Sequence, residues 1–253
     1  MKEVLLSGDN IEKTVRQGGK ETPILQDVSV EIYKGDFTVI MGASGAGKST
    51  LLYALSCMDR ISGGSVYYAG NEISSYSENQ LAELRAKEFG FVFQQTHLVS
   101  NLTLFENVAV AGYVSGKAAP KEIDQRANEL LSQMNVEDAK HRFPAETSGG
   151  EAQRAAIARA MISSPSILFA DEPTGALNKS NSTEVLNLLT DLNRSGQTIL
   201  MVTHDIQAAI RGSRILYLED GMILDELSLG SWTAQKEKER EEQATAWLSS
   251  LRW

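Results

Sequence analysis

Three short runs of the chain are apolar almost without a break: FTVIMG from Phe37, SILFAD from Ser166 and TILMVTH from Thr198. Polar turns bound each run, and long stretches of helical period lie between them. A strand with one face in water alternates apolar and polar residues, whereas a strand covered on both faces has no need to. The pattern predicts parallel strands sandwiched by helices, an α/β core.

Two other stretches read as antiparallel hairpins, SVYYAGNEI turning at Gly70-Asn71 and RILYLEDGMILDE turning at Asp220-Gly221. Between Gln94 and Pro165 strand signals nearly vanish, which predicts a helical lobe inserted into the sheet domain, with KEIDQRANELLSQMN as its clearest amphipathic helix. After Ser228 the charges alternate, and then Ala244, Trp247, Leu248 and Leu251 recur at helical spacing. That tail helix packs one end either on its own domain through Trp247 or on a partner or membrane. No internal repeat is visible.

At 253 residues the chain suits one domain with two lobes or two small domains. No apolar run approaches the roughly 18 residues of a membrane span, and MKEVLLSGDN lacks the basic start and apolar stretch of a secretory signal. The expectation is a soluble, intracellular chain. Its net charge of -9 argues against a binder of phosphate backbones, so no nucleic-acid partner is expected. The lone cysteine, Cys57 in LLYALSCMD, reads as helix core, and no Cys/His spacing suggests zinc.

GASGAGKST follows an apolar strand and precedes the helical STLLYALSCM. It fits the phosphate-binding pattern G-x-x-x-x-G-K-[ST] at Gly42, Gly47, Lys48 and Ser49. Glycines let successive N–H groups turn toward phosphates, the helix start adds partial positive charge, Lys48 reaches the β and γ oxygens, and Ser49 offers a hydroxyl to Mg²⁺. The cradle comprises Gly42, Ala43, Ser44, Gly45, Ala46, Gly47, Lys48, Ser49 and Thr50, and its ligand is a nucleoside triphosphate. SILFADEP delivers Asp171 at the carboxyl end of a buried strand, where it can hold Mg²⁺ through water. Glu172 beside it can orient the attacking water or take its proton.

ETSGGEAQR, from Glu146 to Arg154, has the look of a second anion-holding helix start. Ser148 also suits a simple N-cap for the helix that follows. Local capping does not by itself require both Gly149 and Gly150.

GASGAGKST, FVFQQ, TSGGEAQR, ILFADEPTGALN and MVTHD, in that order and spacing, resemble the nucleotide-binding domains of ABC ATPases over residues 1–227. The resemblance implies an α/β fold: a P-loop NTPase (RecA-like) core with an N-terminal antiparallel β subdomain and an inserted α-helical subdomain. The sheet lobe would take residues 1–94 and 166–227, the helical lobe 95–165, and a C-terminal helical tail 228–253. It further implies that two such domains stack head to tail. Ser148, Gly149, Gly150 and Glu151 of one copy then cap the γ-phosphate of ATP held by the other, which gives each of the two cradles a purpose. Gln94 would reach Mg²⁺ and the attacking water, and His204 would contact the γ-phosphate and support Glu172. The resemblance thus assigns catalysis to Glu172, His204 and Gln94, and metal binding to Ser49, Gln94 and Asp171.

Three positions depart from the family's pattern. Val15 stands where an aromatic ring commonly stacks on adenine, which predicts weaker base contact. Thr147 precedes the signature serine in place of leucine. Asn178 ends GALN where aspartate is typical, so coupling between the two sites or turnover can suffer. An active but slow ATPase is expected.

The resemblance narrows to a subgroup of lipoprotein-releasing, macrolide-efflux, antimicrobial-peptide-resistance and cell-division ATPases, with a lean toward peptide export or resistance in bacteria. It implies a second ATPase subunit, an integral membrane permease, and a cytoplasmic location on the inner face of the membrane. The permease's docking groove is expected beside Gln94, with Leu98, Leu102, Leu104 and Phe105 as candidate apolar lining. An ABC domain acting mainly as a regulatory scaffold on a membrane partner is the alternative, and Glu172 speaks for turnover.

Overall fold

A computed structural model describes residues 2–251, apart from the side chain of Gln17; the last two residues of the expected tail helix, 252 and 253, lie outside it. In chain order the elements are β1 (Val4–Gln17), β2 (Lys20–Tyr33), β3 (Phe37–Met41), α1 (Lys48–Leu55), β4 (Gly63–Tyr68), β5 (Asn71–Glu72), α2 (Glu78–Glu88) and β6 (Phe89–Phe93). There follow α3 (Leu104–Ser115), α4 (Pro120–Gln133), α5 (Gly149–Met161), β7 (Ile167–Asp171), α6 (Lys179–Arg194), β8 (Thr198–Val202), α7 (Ile206–Ala209), β9 (Arg214–Glu219), β10 (Met222–Ser228) and α8 (Glu237–Ser250). They fall into two compact units, residues 1–81 with 196–253, and residues 82–195.

In the first unit β3 runs parallel to both β8 and β9, and β10 closes one side antiparallel to β9. All five residues of β3 and all five of β8 are buried, which is why their sequences carry no polar alternation. The same unit holds an antiparallel sheet in the order β2-β1-β4-β5. Its long β1–β2 hairpin closes through Gly18-Gly19, both at positive φ as a two-residue primed turn requires. Asp27, also at positive φ, marks a shift in register, after which Val28, Val30 and Ile32 point into the core on alternate residues.

The β9–β10 hairpin turns at Asp220-Gly221 as the sequence predicts. The other hairpin does not turn at Gly70-Asn71: Tyr68 pairs with Asn71, so the turn residues are Ala69 and Gly70, both at positive φ. Cys57 also departs from expectation, since α1 ends at Leu55 and Cys57 sits buried in the turn beyond it at positive φ.

The tail helix α8 belongs to the first unit. Ala244 and Leu248 are buried, the Trp247 indole packs edge-on against Tyr217, and its Nε1 donates to Asp225 Oδ2 at 2.8 Å. Arg240 is buried too, donating to the carbonyls of Ile210, Leu229, Gly230 and Gly212. The tail helix thus packs on its own unit through Trp247.

In the second unit β6 and β7 pair in parallel, Phe93 opposite Asp171, and among the described residues no strand lies between Gln94 and Pro165. Helices α3, α4 and α5 pack on one another there; α3 and α5 each open with a capping box, Thr103 with Glu106 and Ser148 with Glu151.

Candidate active site

The phosphate loop of the first unit joins β3 to α1. Two of its glycines face close backbone approaches: a Cβ on Gly42 would lie 2.1 Å from the carbonyl oxygen of Leu218, and one on Gly47 3.0 Å from that of Ile24. The turn between β9 and β10 pins the same loop, with Gly221 N–H donating to the Ala46 carbonyl at 3.1 Å. Ala43, Ser44 and Gly45 form its exposed rim.

Gly47 caps α1 in a left-handed conformation, offers no side-chain acceptor, and no acidic residue occupies the first turn. A helix start of this kind, with its partial positive charge and no acidic residue beside it, suits an anion. Lys48 is buried, and its ammonium donates to the carbonyls of Gly42 at 2.8 Å and Ala43 at 2.9 Å. Ser49 and Thr50 follow, half-buried. His204 leaves the end of β8, which pairs with β3, so it emerges at the same carboxyl edge as the loop. Val15, near the end of β1, is exposed.

In the second unit Asp171 ends β7, and Glu172 holds a left-handed backbone, φ 46°, immediately before Pro173. Non-glycine residues seldom adopt that conformation. Gly175 N–H closes the turn onto the Glu172 carbonyl at 3.0 Å. Gln94 follows Phe93 just as Glu172 follows Asp171, so both leave the same edge of the β6–β7 pair. The donors nominated for Mg²⁺ fit it in kind: the Ser49 hydroxyl, the Gln94 carbonyl and the Asp171 carboxylate are hard oxygens, too few for a self-sufficient cage and suited to a cation arriving with phosphates.

The second unit also carries the signature loop. Ser148 caps α5: its Oγ accepts from Glu151 N–H at 3.2 Å, and Glu151 Oε2 accepts from both the N–H and the hydroxyl of Ser148 at 2.8 Å. Those two bonds, the backbone one foremost, hold the Glu151 carboxyl below the ordinary carboxylate range; burial opposes them and Arg142 and Arg154 assist. The two glycines differ. A Cβ on Gly150, which is buried, would strike Asn181 of α6 at 2.6 Å, whereas one on exposed Gly149 would meet only Leu177 at an ordinary 3.5 Å. Asn178 caps α6, accepting from Asn181 N–H at 3.0 Å, a task aspartate performs equally well. Thr147 Oγ1 donates to the Pro144 carbonyl at 2.8 Å.

A groove of about 380 Å³ in the second unit is lined by the Phe89, Phe91 and Phe93 rings of β6, by His97, and by Ala111 and Val114 of α3. Arg159 fixes the loop on its rim, donating to the carbonyls of Thr96 and His97 at 2.7 Å each. Leu98, Leu102, Leu104 and Phe105 do not line it, and Leu104 is wholly buried in the helical packing. The aromatic run FGFVF is the signal that marks the groove.

A family model described as ABC transporter matches residues 25–175. The macrolide export ATP-binding/permease protein MacB of Pasteurella multocida (strain Pm70) is 38% identical over all of this chain and 38% of its own length. The protein of that name from Haemophilus ducreyi is 41% identical over 89% of this chain and 32% of its length. The chain therefore spans about a third of the length of these relatives. Among solved structures, the post-hydrolysis dimer of the ATP-binding cassette MJ0796 with ADP and Pi superposes with a TM-score of 0.84 at 37% identity, covering 90% of this chain and all of that one. The match of the family model and the likeness to these relatives and cassettes show that the chain belongs to the ABC transporter family as one of its ATPase cassettes.

Proposed function

We propose that two copies of this chain stack head to tail and hydrolyse ATP, with Mg²⁺, at two sites shared between them. Their closure and reopening would work an integral membrane permease from the cytoplasmic face, for export, release or resistance involving peptides, lipopeptides or lipoproteins. Gly149 carries the reading. It is exposed, its own chain leaves room for a side chain, and it stands beside Ser148 at a helix N-terminus. Packing within the chain explains Gly150, while the bareness of Gly149 is explained by the close approach of something outside it, such as a phosphate held by a second copy.

In this scheme the Lys48 ammonium exchanges the Gly42 and Ala43 carbonyls for β and γ oxygens of ATP, and the N-terminus of α1 receives the phosphates. Bound through Ser49, Gln94 and Asp171, Mg²⁺ would neutralise charge on the β and γ oxygens. Glu172 takes a proton from water as the water oxygen bonds to the γ-phosphorus and the bond to the bridging oxygen breaks, releasing ADP and phosphate. Gln94 and His204 orient the water and the γ-phosphate. Val15 gives the base an aliphatic contact in place of a stacked ring, which leaves affinity to the phosphates.

The aromatic groove suits a short amphipathic helix from the permease, and the names of the relatives, which join ATP-binding to permease, support such a partner. Among the described residues no helix is long and apolar enough to cross a membrane.

Mixing two inactive variants, Lys48→Ala and Ser148→Arg, tests the shared site. Random pairing makes half the dimers mixed, each with one intact site, so about a quarter of the wild-type ATPase rate should return. No recovery on mixing would place Ser148 on its own chain's nucleotide and defeat the proposal. Near-zero turnover of wild type and Glu172→Gln alike would favour the scaffold reading.

A further inference from the structure

Glu151 occupies an awkward place for a carboxylate. It accepts a hydrogen bond from the Ser148 hydroxyl at 2.8 Å, at the start of the thirteen-residue helix that the proposed function asks to receive a triphosphate. A serine hydroxyl has one hydrogen to give. When Ser148 turns it to a phosphate oxygen, Glu151 loses a donor just as a second anion arrives beside it.

Two cations face Glu151. From its own helix comes Arg154, already committed to Glu184 of α6 at 2.7 Å, its side chain only 11% exposed. From the segment before the signature comes Arg142, with Nη1 3.8 Å from Glu151 Oε1 and a side chain 52% exposed. It carries no shorter ion pair among the described residues, and it approaches the carboxylate oxygen that Ser148 does not use. At 3.8 Å this is a charge pair rather than a hydrogen bond, and an exposed pair of that kind adds little to the resting fold. A shortening of roughly 1 Å would turn it into a charge-assisted hydrogen bond.

We infer that Arg142 is a positioning residue for ATP: it takes over the Glu151 carboxylate as Ser148 swings its hydroxyl to the γ-phosphate, so the loop opens while the carboxylate, which keeps the Ser148 N–H, stays charge-compensated beside the triphosphate. The inference rests on the shared-site reading above. It predicts dependence between two side chains: Arg142 matters to ATP only while position 151 carries a charge.

The test is steady-state ATPase of the full chain with MgATP titrated, for wild type, R142Q and R142K, each also with E151Q. R142Q should lower kcat/KM about 3–10-fold, chiefly through KM, and R142K should recover most of it. With E151Q present, R142Q should change kcat/KM by less than about twofold. Equal losses in both backgrounds would mean a purely structural role and overturn the inference, as would no loss in either. Full wild-type turnover at concentrations where sedimentation shows only monomer overturns the shared-site reading and this inference with it. Turnover confined to the dimer with R142Q at the wild-type level overturns the inference alone.

Discussion

The side-chain amide of Gln94 lies against the backbone of Gly175, where a methyl group would stand 2.9 Å from Nε2. Gly175 belongs to the turn that begins at Glu172, so the two proposed catalytic groups are in register through one missing side chain. Gly175→Ala should push the Gln94 amide aside. A flexible side-chain end yields cheaply, so the melting midpoint should move little, by less than about 1 kcal/mol in unfolding free energy. Turnover should fall on the order of 10-fold or more, because displacements near 1 Å are costly at a reacting centre. A kcat equal to wild type would mean that Gln94 needs no fixed position.

The glycines of the two phosphate cradles should respond in opposite ways. Gly42→Ala drives a methyl into the Leu218 carbonyl, a backbone atom that cannot step aside, and should destabilise the first unit by about 2–3 kcal/mol. Gly149→Ala meets only Leu177 at 3.5 Å and replaces glycine by a better helix former, so stability should hold or rise slightly. Its ATPase rate should nevertheless drop on the order of 10²-fold if a phosphate must approach there. Urea melts and turnover measured on the same samples separate the two, and a fully active Gly149→Ala would remove the observation on which the shared site stands.

How far these features could be read in advance depended on whether their causes are local. The buried strands β3, β7 and β8 were legible because burial on both faces leaves an uninterrupted apolar run. The phosphate loop was legible because its glycines answer constraints repeated wherever a strand turns into a phosphate-binding helix. The long β1–β2 hairpin was not spelled out, since its alternation is broken where Asn10 and Asp27 take positive φ. At the β4–β5 turn Gly-Asn is the better turn dipeptide, yet pairing of Tyr68 with Asn71 forced Ala69 into a left-handed conformation. The link between Glu151 and Arg142 joins α5 to a segment nine residues upstream, and no spacing rule announces such a pair. Arg240 was hidden by company, as one charge among many in KEKEREE.

Arg240 accordingly offers a sharp stability test. It is 2% exposed, and its guanidinium satisfies carbonyls on the connection from α7 to β9 and on the segment after β10. Arg240→Met keeps most of the volume but leaves those carbonyls without their donor. The loss should be about 2–4 kcal/mol, more than any other single charge in that run, because buried acceptors pay the cost of leaving water unrequited. Lys238→Met, at a side chain 89% exposed, should cost less than about 0.5 kcal/mol. Equal midpoints in urea for the two variants would show that the tail adds nothing to the first unit.

The anchor at the far end of the same helix titrates. The Trp247 indole donates to Asp225, and this bond, ahead of the Glu226 N–H, holds the Asp225 carboxyl below its ordinary value. A carboxyl whose folded pKa is depressed stabilises the protein above its unfolded pKa, near 4, and that contribution is lost as pH falls through the folded value. Wild type should therefore exceed Asp225→Asn in stability at pH 6, and the gap should close below about pH 4. Trp247→Phe keeps the ring packing against Tyr217 but removes the donor, so its own deficit relative to wild type should shrink over the same window. Urea midpoints measured from pH 6 down to pH 3 check both, and a gap that stays constant with pH would mean the indole bond does not select the ionised carboxylate.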